Sequence, residues 1–384
     1  MKYCKTCIQP DTRPNTKFLR NGICPACNYF NKLSDVDWHE RYEILDKLIE
    51  KNNKKNKQKS QNKHGEYFDC IIGVSGGKDS TRQALFIRDK LKLKPLLVSL
   101  GFPPQEITER GADNVSNLIE LGFDVIISNP APKRWQNLAR ESFLRFTNFA
   151  VSTELALFAS VPQIAIAYGI NLILWGENPG LQLGDLKTLG RTGYDGNNLR
   201  DMNTLKGGVP EWMLELGYSR QDLNAYYYPS RKLFEQHDLQ IVYLGWFLGD
   251  WSLTNNGLYS IAEGLKIRTD HVSNTGDLRG LTSLDDDWVT LNQMIKYYKY
   301  GFGRVTDYCN EEIRIGNMTR HEAINLADKY DHSCDEKYIN SFCDYIDIST
   351  QQFWSQVHSS VNKELFEISS SGEIIKKFTV GKGL

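Results

Sequence analysis

Four short apolar runs punctuate the first half of the chain: 68–74 (FDCIIGV), 95–100 (PLLVSL), 123–127 (FDVII) and 172–175 (LILW). Each is bounded by turn residues and none alternates apolar with polar, so each predicts a strand buried on both faces. Helical periodicity separates them near 80–92, 105–121, 134–148 and 153–168. Continuous strands alternating with helices predict an α/β fold, a doubly wound parallel sheet covered by helices on both sides.

The flanks read differently. Residues 36–50 place Val36, Ile44, Leu45, Leu48 and Ile49 at helical spacing, with Ser34 or Asp35 as N-cap. The segment 51–63 (KNNKKNKQKSQNK) has no apolar residue and reads as a solvated mobile linker, with a backbone-tracking arm for RNA as the functional alternative. Beyond about residue 180 the chain turns rich in Gly, Asn and Tyr and its elements cannot be placed; a functional lid is one reading. Helical periodicity returns from Asp287, and Thr319 with Glu322 forms a capping box. The expected organisation is 1–32, a cysteine-bearing ribbon; 33–66, helix and linker; 67–280, the α/β domain; and 281–384, a helical C-terminal subdomain.

Length and composition exclude a mini-protein, a disordered chain and a fibrous one: 384 residues, 40% hydrophobic and 24% charged. With 46 Lys and Arg against 47 Asp and Glu, no global field draws the chain to nucleic acid or anionic lipid. The most apolar stretch, 164–175, is interrupted by Gly169 and Asn171, and the N-terminus lacks the apolar core of a secretory signal, so a cytoplasmic location and no membrane partner are expected. Among eight cysteines, Cys4, Cys7, Cys24 and Cys27 form two CxxC pairs with sixteen residues between them. That spacing matches two knuckles closing on one structural Zn²⁺, and a segment of about 30 residues needs such an ion to fold. A redox dithiol is the competing reading of CPAC taken alone.

The sharpest signal is GVSGGKDS, residues 73–80, between a strand and a helix. It is not a Walker A loop: three residues rather than four separate Gly73 from Gly77, and Asp79 follows Lys78. What remains is a glycine turn that aims backbone N–H groups and a helix dipole at an anion. The bland alternatives are a tight turn at Gly76 and Gly77, and helix capping by Asp79 and Ser80. The run SGGKDS, in its strand–turn–helix setting, resembles the signature of the PP-loop ATP pyrophosphatases, whose fold is adenine nucleotide α-hydrolase-like. The resemblance implies that Ser75, Gly76, Gly77 and Ser80 hold the pyrophosphate portion of ATP, with Lys78 adding positive charge and Asp79 near Mg²⁺. The end of the next strand, with Leu100 and Phe102, lies at the carboxyl edge where such sheets seat a nucleotide, and adenine is expected there. Phe102 packed on Pro103 and Pro104 is the alternative.

Beyond the loop, the ribbon, WGENPG (175–180), YGFGRVTD (300–307) and IRIGNMTRHEAINLADKYD (313–331) follow one another in an order similar to that of the N-acetyl sugar amidotransferases of the PseA and WbpG type. These convert the N-acetyl group of an activated surface-glycan sugar of pseudaminic, legionaminic or mannuronic acid type to an acetamidino group. The implied chemistry is coherent: amide resonance protects the carbonyl, so its oxygen must be adenylated before ammonia can displace it. Glu177 in WGENPG is a candidate for holding Mg²⁺ or the sugar, against a plain turn residue. Arg304 is a candidate for binding phosphate or a charged substrate group, with Asp307 orienting it, against a structural ion pair; Lys206 is a weaker candidate. Residue 2 is Lys and no cysteine lies in a Gly-x-Cys-x-Gly elbow, so the resemblance implies a separate glutaminase partner supplying ammonia, similar to the subunit pair of imidazole-glycerol-phosphate synthase. The principal rival is a tRNA-modifying PP-loop enzyme of thiolase or lysidine-synthetase type; Cys309, Cys334 and Cys343 are too far apart to form a CxxC beyond the ribbon's two, and this and the lack of net positive charge argue against it. A binding protein with an inactive nucleotide domain is the third reading, disfavoured by the intact loop.

Overall fold

Leu96, Leu97, Val98, Ile71, Ile72 and Ile173 are almost wholly buried, and their strands lie at the centre of a five-stranded parallel sheet, as continuous apolar runs require. The computed structural model describes residues 1–59, 68–182, 184, 193–202, 205 and 210–383. Strands β1 (Cys70–Val74), β2 (Pro95–Leu100), β3 (Val125–Ser128), β4 (Leu172–Trp175) and β5 (Gln240–Tyr243) are ordered β3-β2-β1-β4-β5. The order reverses between β1 and β4, and nucleotides bind outside the carboxyl ends of strands at such a reversal. Ile71 pairs with both Leu96 and Ile173, and Val74 with Ser99, which fixes the register at that edge.

In chain order the first helices are α1 (Pro25–Asn31), α2 (Trp38–Lys59), α3 (Lys78–Asp89), α4 (Glu109–Glu120), α5 (Pro132–Phe146) and α6 (Ala150–Tyr168). α6 is long and apolar enough by composition to cross a membrane, yet its Leu155, Ala156, Ala159 and Ala165 are buried in the core it shares with β1, β2 and β4. The helix α2 departs from expectation. It starts with the Asp37 carboxylate accepting from the N–H groups of His39 and Glu40, not with Ser34 or Asp35. It also runs through Lys59, so the first part of the Lys/Asn segment is helix rather than linker; Glu50 pairs with Lys54 at i,i+4, which favours continuation. Residues 60–63 of that segment lie outside the described residues.

Past β4 come α7 (Pro179–Gln182), α8 (Glu211–Leu214), α9 (Arg231–Gln236), α10 (Leu253–Ala262) and α11 (Val272–Thr275). The C-terminal region holds α12 (Val289–Tyr300), α13 (Arg304–Arg314), α14 (Arg320–Tyr330), α15 (Glu336–Ile346) and α16 (Thr350–Ser360), then a hairpin of β6 (Phe366–Ile368) and β7 (Ile374–Lys376). The capping box of Thr319 and Glu322 opens α14 as expected. Phe143 and Phe149, at the α5–α6 corner, share a core with Trp288, Phe342 and Phe353 of the C-terminal helices. Those helices therefore close over the carboxyl edge of the sheet and are not a loose appendage.

Candidate active site

The turn after β1 has the geometry of an anion cradle. Gly76 sits at φ +73, and a Cβ there would stand 2.8 Å from the backbone of Asn114 and Val115 on α4, so only glycine fits. Gly77 caps α3 without a side-chain acceptor, which leaves the first-turn N–H groups open toward the sheet edge. The Ser75 hydroxyl accepts from the Gly77 N–H at 3.3 Å, and the Ser80 hydroxyl donates to the Gly77 carbonyl at 3.1 Å. The substitution Gly76→Ala combines positive φ with a backbone clash. It should cost roughly 2 kcal/mol or more, read as a fall in Tm; an unchanged Tm would contradict this account of the turn.

Charge gathers around that turn. Lys78 Nζ meets Asp79 Oδ2 at 2.7 Å, and Asp79 Oδ1 accepts from Asn256 Nδ2 at 2.6 Å. Asn256 in turn accepts from Arg82, which is held by Asp250 at 2.7 Å, and the Ser260 hydroxyl donates to the Lys78 carbonyl. α10 thus locks the first turn of α3. Burial works against the charge on Lys78, but Asp79, then Glu311 and Asp277, outweigh it and hold the ammonium above its usual range. Glu177, two residues beyond β4, reaches solvent from a crowded edge. Desolvation pushes its carboxyl up to about 7, with the Asp79 charge adding and Lys78 opposing.

From the far side, α13 contributes Arg304 and Glu311. Arg304 is nine-tenths buried; burial brings it down to about 10, with Asp277 opposing. Its NH2 donates to Ser283 Oγ at 3.2 Å, while NH1 has no partner. Asp277 accepts from the N–H groups of Arg279, Gly280 and Thr282; together with Arg304 they hold it ionised against burial. Glu311 takes the Leu253 N–H at 2.5 Å, and burial raises its carboxyl. Asp307 does not orient Arg304: it pairs with Arg13 and, at 2.7 Å, with Lys296. Phe102 packs edge-on against Trp135, ring centroids 5.8 Å apart. Leu100 has its side chain in the core beneath β2, leaving its main chain for any ligand. Lys206 lies outside the described residues.

The Sγ atoms of Cys4, Cys7, Cys24 and Cys27 lie within 4.8 Å of one another, all buried, with Cys7 and Cys24 3.7 Å apart. Thiolates 2.3 Å from one tetrahedral ion stand about 3.8 Å apart. Ligands on the four separate irons of a cubic cluster stand much farther apart, so the donor set fits a single ion. The Cys24 N–H points at Cys4 Sγ and the Gln9 N–H at Cys7 Sγ, the polarised N–H···S contacts that support bound thiolates.

Residues 280–379 match the family described as LPS biosynthesis protein WbpG-like, C-terminal domain. The chain carries a WbpG-like C-terminal domain. The likeness to the WbpG type drawn from the motifs is met by this match over residues 280–379, and the expected α/β fold class with its cysteine ribbon and helical C-terminal region holds. Similar solved structures include a predicted subunit of tRNA methyltransferase from Methanocaldococcus jannaschii, 14% identical over 59% of this chain and 86% of that one, TM-score 0.29. Another is the U34-tRNA thiolase NcsA from Methanococcus maripaludis with its 4Fe-4S cluster, 12% identical over 72% and 79%, TM-score 0.27. At such values neither carries an argument about this chain. No curated protein matches.

The WbpG-like domain has two tasks in this geometry. It supplies Arg304 and Glu311 to the cleft, and it seats the ribbon. Ile8 is buried in its core, Asn310 accepts from the Ile8 N–H at 3.0 Å, and Arg320 donates to the carbonyls of Cys7 and Cys4. Helix α1 of the ribbon also packs on α7, directly after the Glu177 turn. Sequence reasoning missed Asn256, Ser260, Asp277 and Glu311. None belongs to a motif; Asn256 and Ser260 acquire their roles from α10 folding back onto α3, Glu311 from α13 and Asp277 from the turn that follows α11.

Proposed function

We propose that this chain is an ATP-dependent amidotransferase that converts the N-acetyl group of an activated surface-glycan sugar to an acetamidino group. The observation that carries the reading is an uncapped helix N-terminus, beside Lys78, Asp79 and Glu177, facing a WbpG-like domain. The open N–H groups and Lys78 suit the β- and γ-phosphates, while Asp79 and Glu177, two carboxylates crowded enough to raise one of them, suit Mg²⁺. Leu100 and Phe102 at the end of β2 flank the place for adenine, and the four thiolates hold Zn²⁺.

The acetamide oxygen attacks the α-phosphorus, the bond to the bridging oxygen of the β-phosphate breaks, and pyrophosphate departs. Ammonia adds to the activated carbon, the C–O bond breaks, and AMP leaves with the former amide oxygen; the amidine keeps one proton more than the amide. The protein positions reactants and neutralises charge. The ammonia comes from a partner glutaminase, as nothing in the cleft resembles a glutamine-hydrolysing nucleophile among the described residues. Incubation with ATP, ammonium chloride and either a CMP-linked N-acetylated nonulosonic acid or a UDP-linked N-acetylated mannuronic acid should yield AMP and pyrophosphate. Bulk tRNA with a sulfur donor should not. ADP as product, or turnover with tRNA alone, would reject the proposal.

A further inference from the structure

A second polar site lies one strand away from the phosphate turn. Glu106 leaves β2 through a turn closed by its N–H on the Pro103 carbonyl. The segment before α12 zips against it, with Ile107 pairing Asp286 and the Thr108 N–H on the Asp285 carbonyl at 3.0 Å, which brings Asp286 near Glu106. Both acids are at least 95% buried. Glu106 Oε2 accepts the Trp135 indole N–H at 2.5 Å, but Oε1 has no partner. The hydroxyl of Tyr226, a fully buried residue whose ring lies 6.4 Å from that of Trp135, has none either; nor does that of half-buried Tyr345, whose ring lies 4.8 Å from Trp288. The Glu106 charge is felt at both phenols.

Each buried hydrogen-bonding atom left unmade costs about 1–3 kcal/mol, and folded proteins seldom leave three together. A purely structural network would have paired the phenols with the carboxylate. The three unmade hydrogen bonds therefore suit something that carries its own hydrogen-bonding groups. A phosphate finds no counter-charge in this pair of buried acids. A metal ion is ill served, because burial raises both carboxyls and leaves it no ready anionic ligand. A carboxyl, two phenols and an indole suit a compact ring with hydroxyl or amide N–H groups on its rim and C–H groups on its face.

We propose that Glu106, Tyr226 and Tyr345, against Trp135, form the subsite that reads the hydroxyl and amide groups of the sugar ring, an assignment that rests on the amidotransferase reading above. Asp286 joins it to the phosphate cleft, because it also lies beside Arg304, which faces Asp277 and through it Lys78. The sugar then sits beside the Glu106 segment and the triphosphate at β1.

Calorimetric titration of CMP-linked N-acetylated nonulosonic acid and UDP-linked N-acetylated mannuronic acid tests this on the full chain. Glu106→Gln, Tyr226→Phe and Tyr345→Phe should each weaken binding of the accepted sugar nucleotide roughly tenfold. ATP binding, and binding of free CMP or UDP, should not change. Should Glu106→Gln fail to fold, the two Phe variants carry the test, their Tm serving as control. Sugar binding equal to that of the parent, with AMP still formed, would show a pocket filled by water and overturn the subsite alone. A parent chain that binds ATP but neither sugar nucleotide would overturn both the subsite and the amidotransferase reading.

Discussion

Stripping the ion from Cys4, Cys7, Cys24 and Cys27, by a chelator or by Cys27→Ser, should abolish turnover and lower Tm by roughly 5–10 °C. The four thiols are the ribbon's own core, joined only by Ala26 among its buried residues. Without a cation to neutralise them, thiolates this close cannot all persist, and a segment of about 30 residues has too little else to bury. The loss would spread, since the ribbon is tied at both ends of the cleft. Arg13 pairs with Asp307 on α13 and lies over the Phe302 ring at 4.4 Å, and Gly184 approaches Pro25 and Ala26 so closely that a Cβ would meet the Ala26 nitrogen at 2.4 Å. Freeing the ribbon thus loosens α13, which brings Arg304 and Glu311, and the segment following Glu177. Metal analysis should find one zinc per chain before treatment. A chelated protein that keeps both its Tm and its rate would dismiss the structural role.

What the sequence made legible was whatever depends on neighbours along the chain. β1, β2 and β4 showed as apolar runs because both faces of each are buried, and the turn at 75–80 showed because its glycines answer a local backbone demand. The capping box at Thr319 is likewise contained within four residues. β5 went unseen: Gln240–Tyr243 is four residues long and its strand character comes from pairing with β4. The extension of α2 to Lys59 was hidden by composition, as Lys and Asn favour solvent in helix and coil alike. Asp307 illustrates the limit most clearly. Three residues from Arg304 in a conspicuous motif, it appeared to serve that arginine, but one helix turn sends it to Arg13, almost three hundred residues earlier in the chain. The acidic and basic lining of the cleft beyond Lys78, Asp79, Glu177 and Arg304 belongs to that long-range class.

Glu177→Gln should make the protein more stable and nearly inactive, and pH distinguishes the two effects. A carboxyl whose folded-state value is raised from 4.5 to about 7 binds its proton more tightly in the native state than in the unfolded one. Stability is therefore lost as pH rises from about 4.5 through 7, and the deficit persists above that. The neutral amide removes it. Because Glu177 reaches solvent, screening reduces the gain to the order of 1 kcal/mol at pH 8, and it should vanish near pH 4.5. Activity runs the other way. A cation held by Asp79 and Glu177, on the proposed function, would need both ionised and would compete with the proton for Glu177, so at subsaturating Mg²⁺ parent turnover should climb with pH through about 7. Gln cannot supply that charge, and a loss of about a hundredfold or more is expected, comparable to removing a principal electrostatic contact in a transition state. The climb through pH 7 should disappear with it. Asp79→Asn is the useful contrast: it sacrifices the pairing with Lys78 and weakens the link to Asn256, so it should lose stability as well as activity. If Glu177→Gln left both the rate and the pH profile intact, Glu177 would be an ordinary turn residue, and its raised carboxyl merely the result of desolvation with the Asp79 charge beside it.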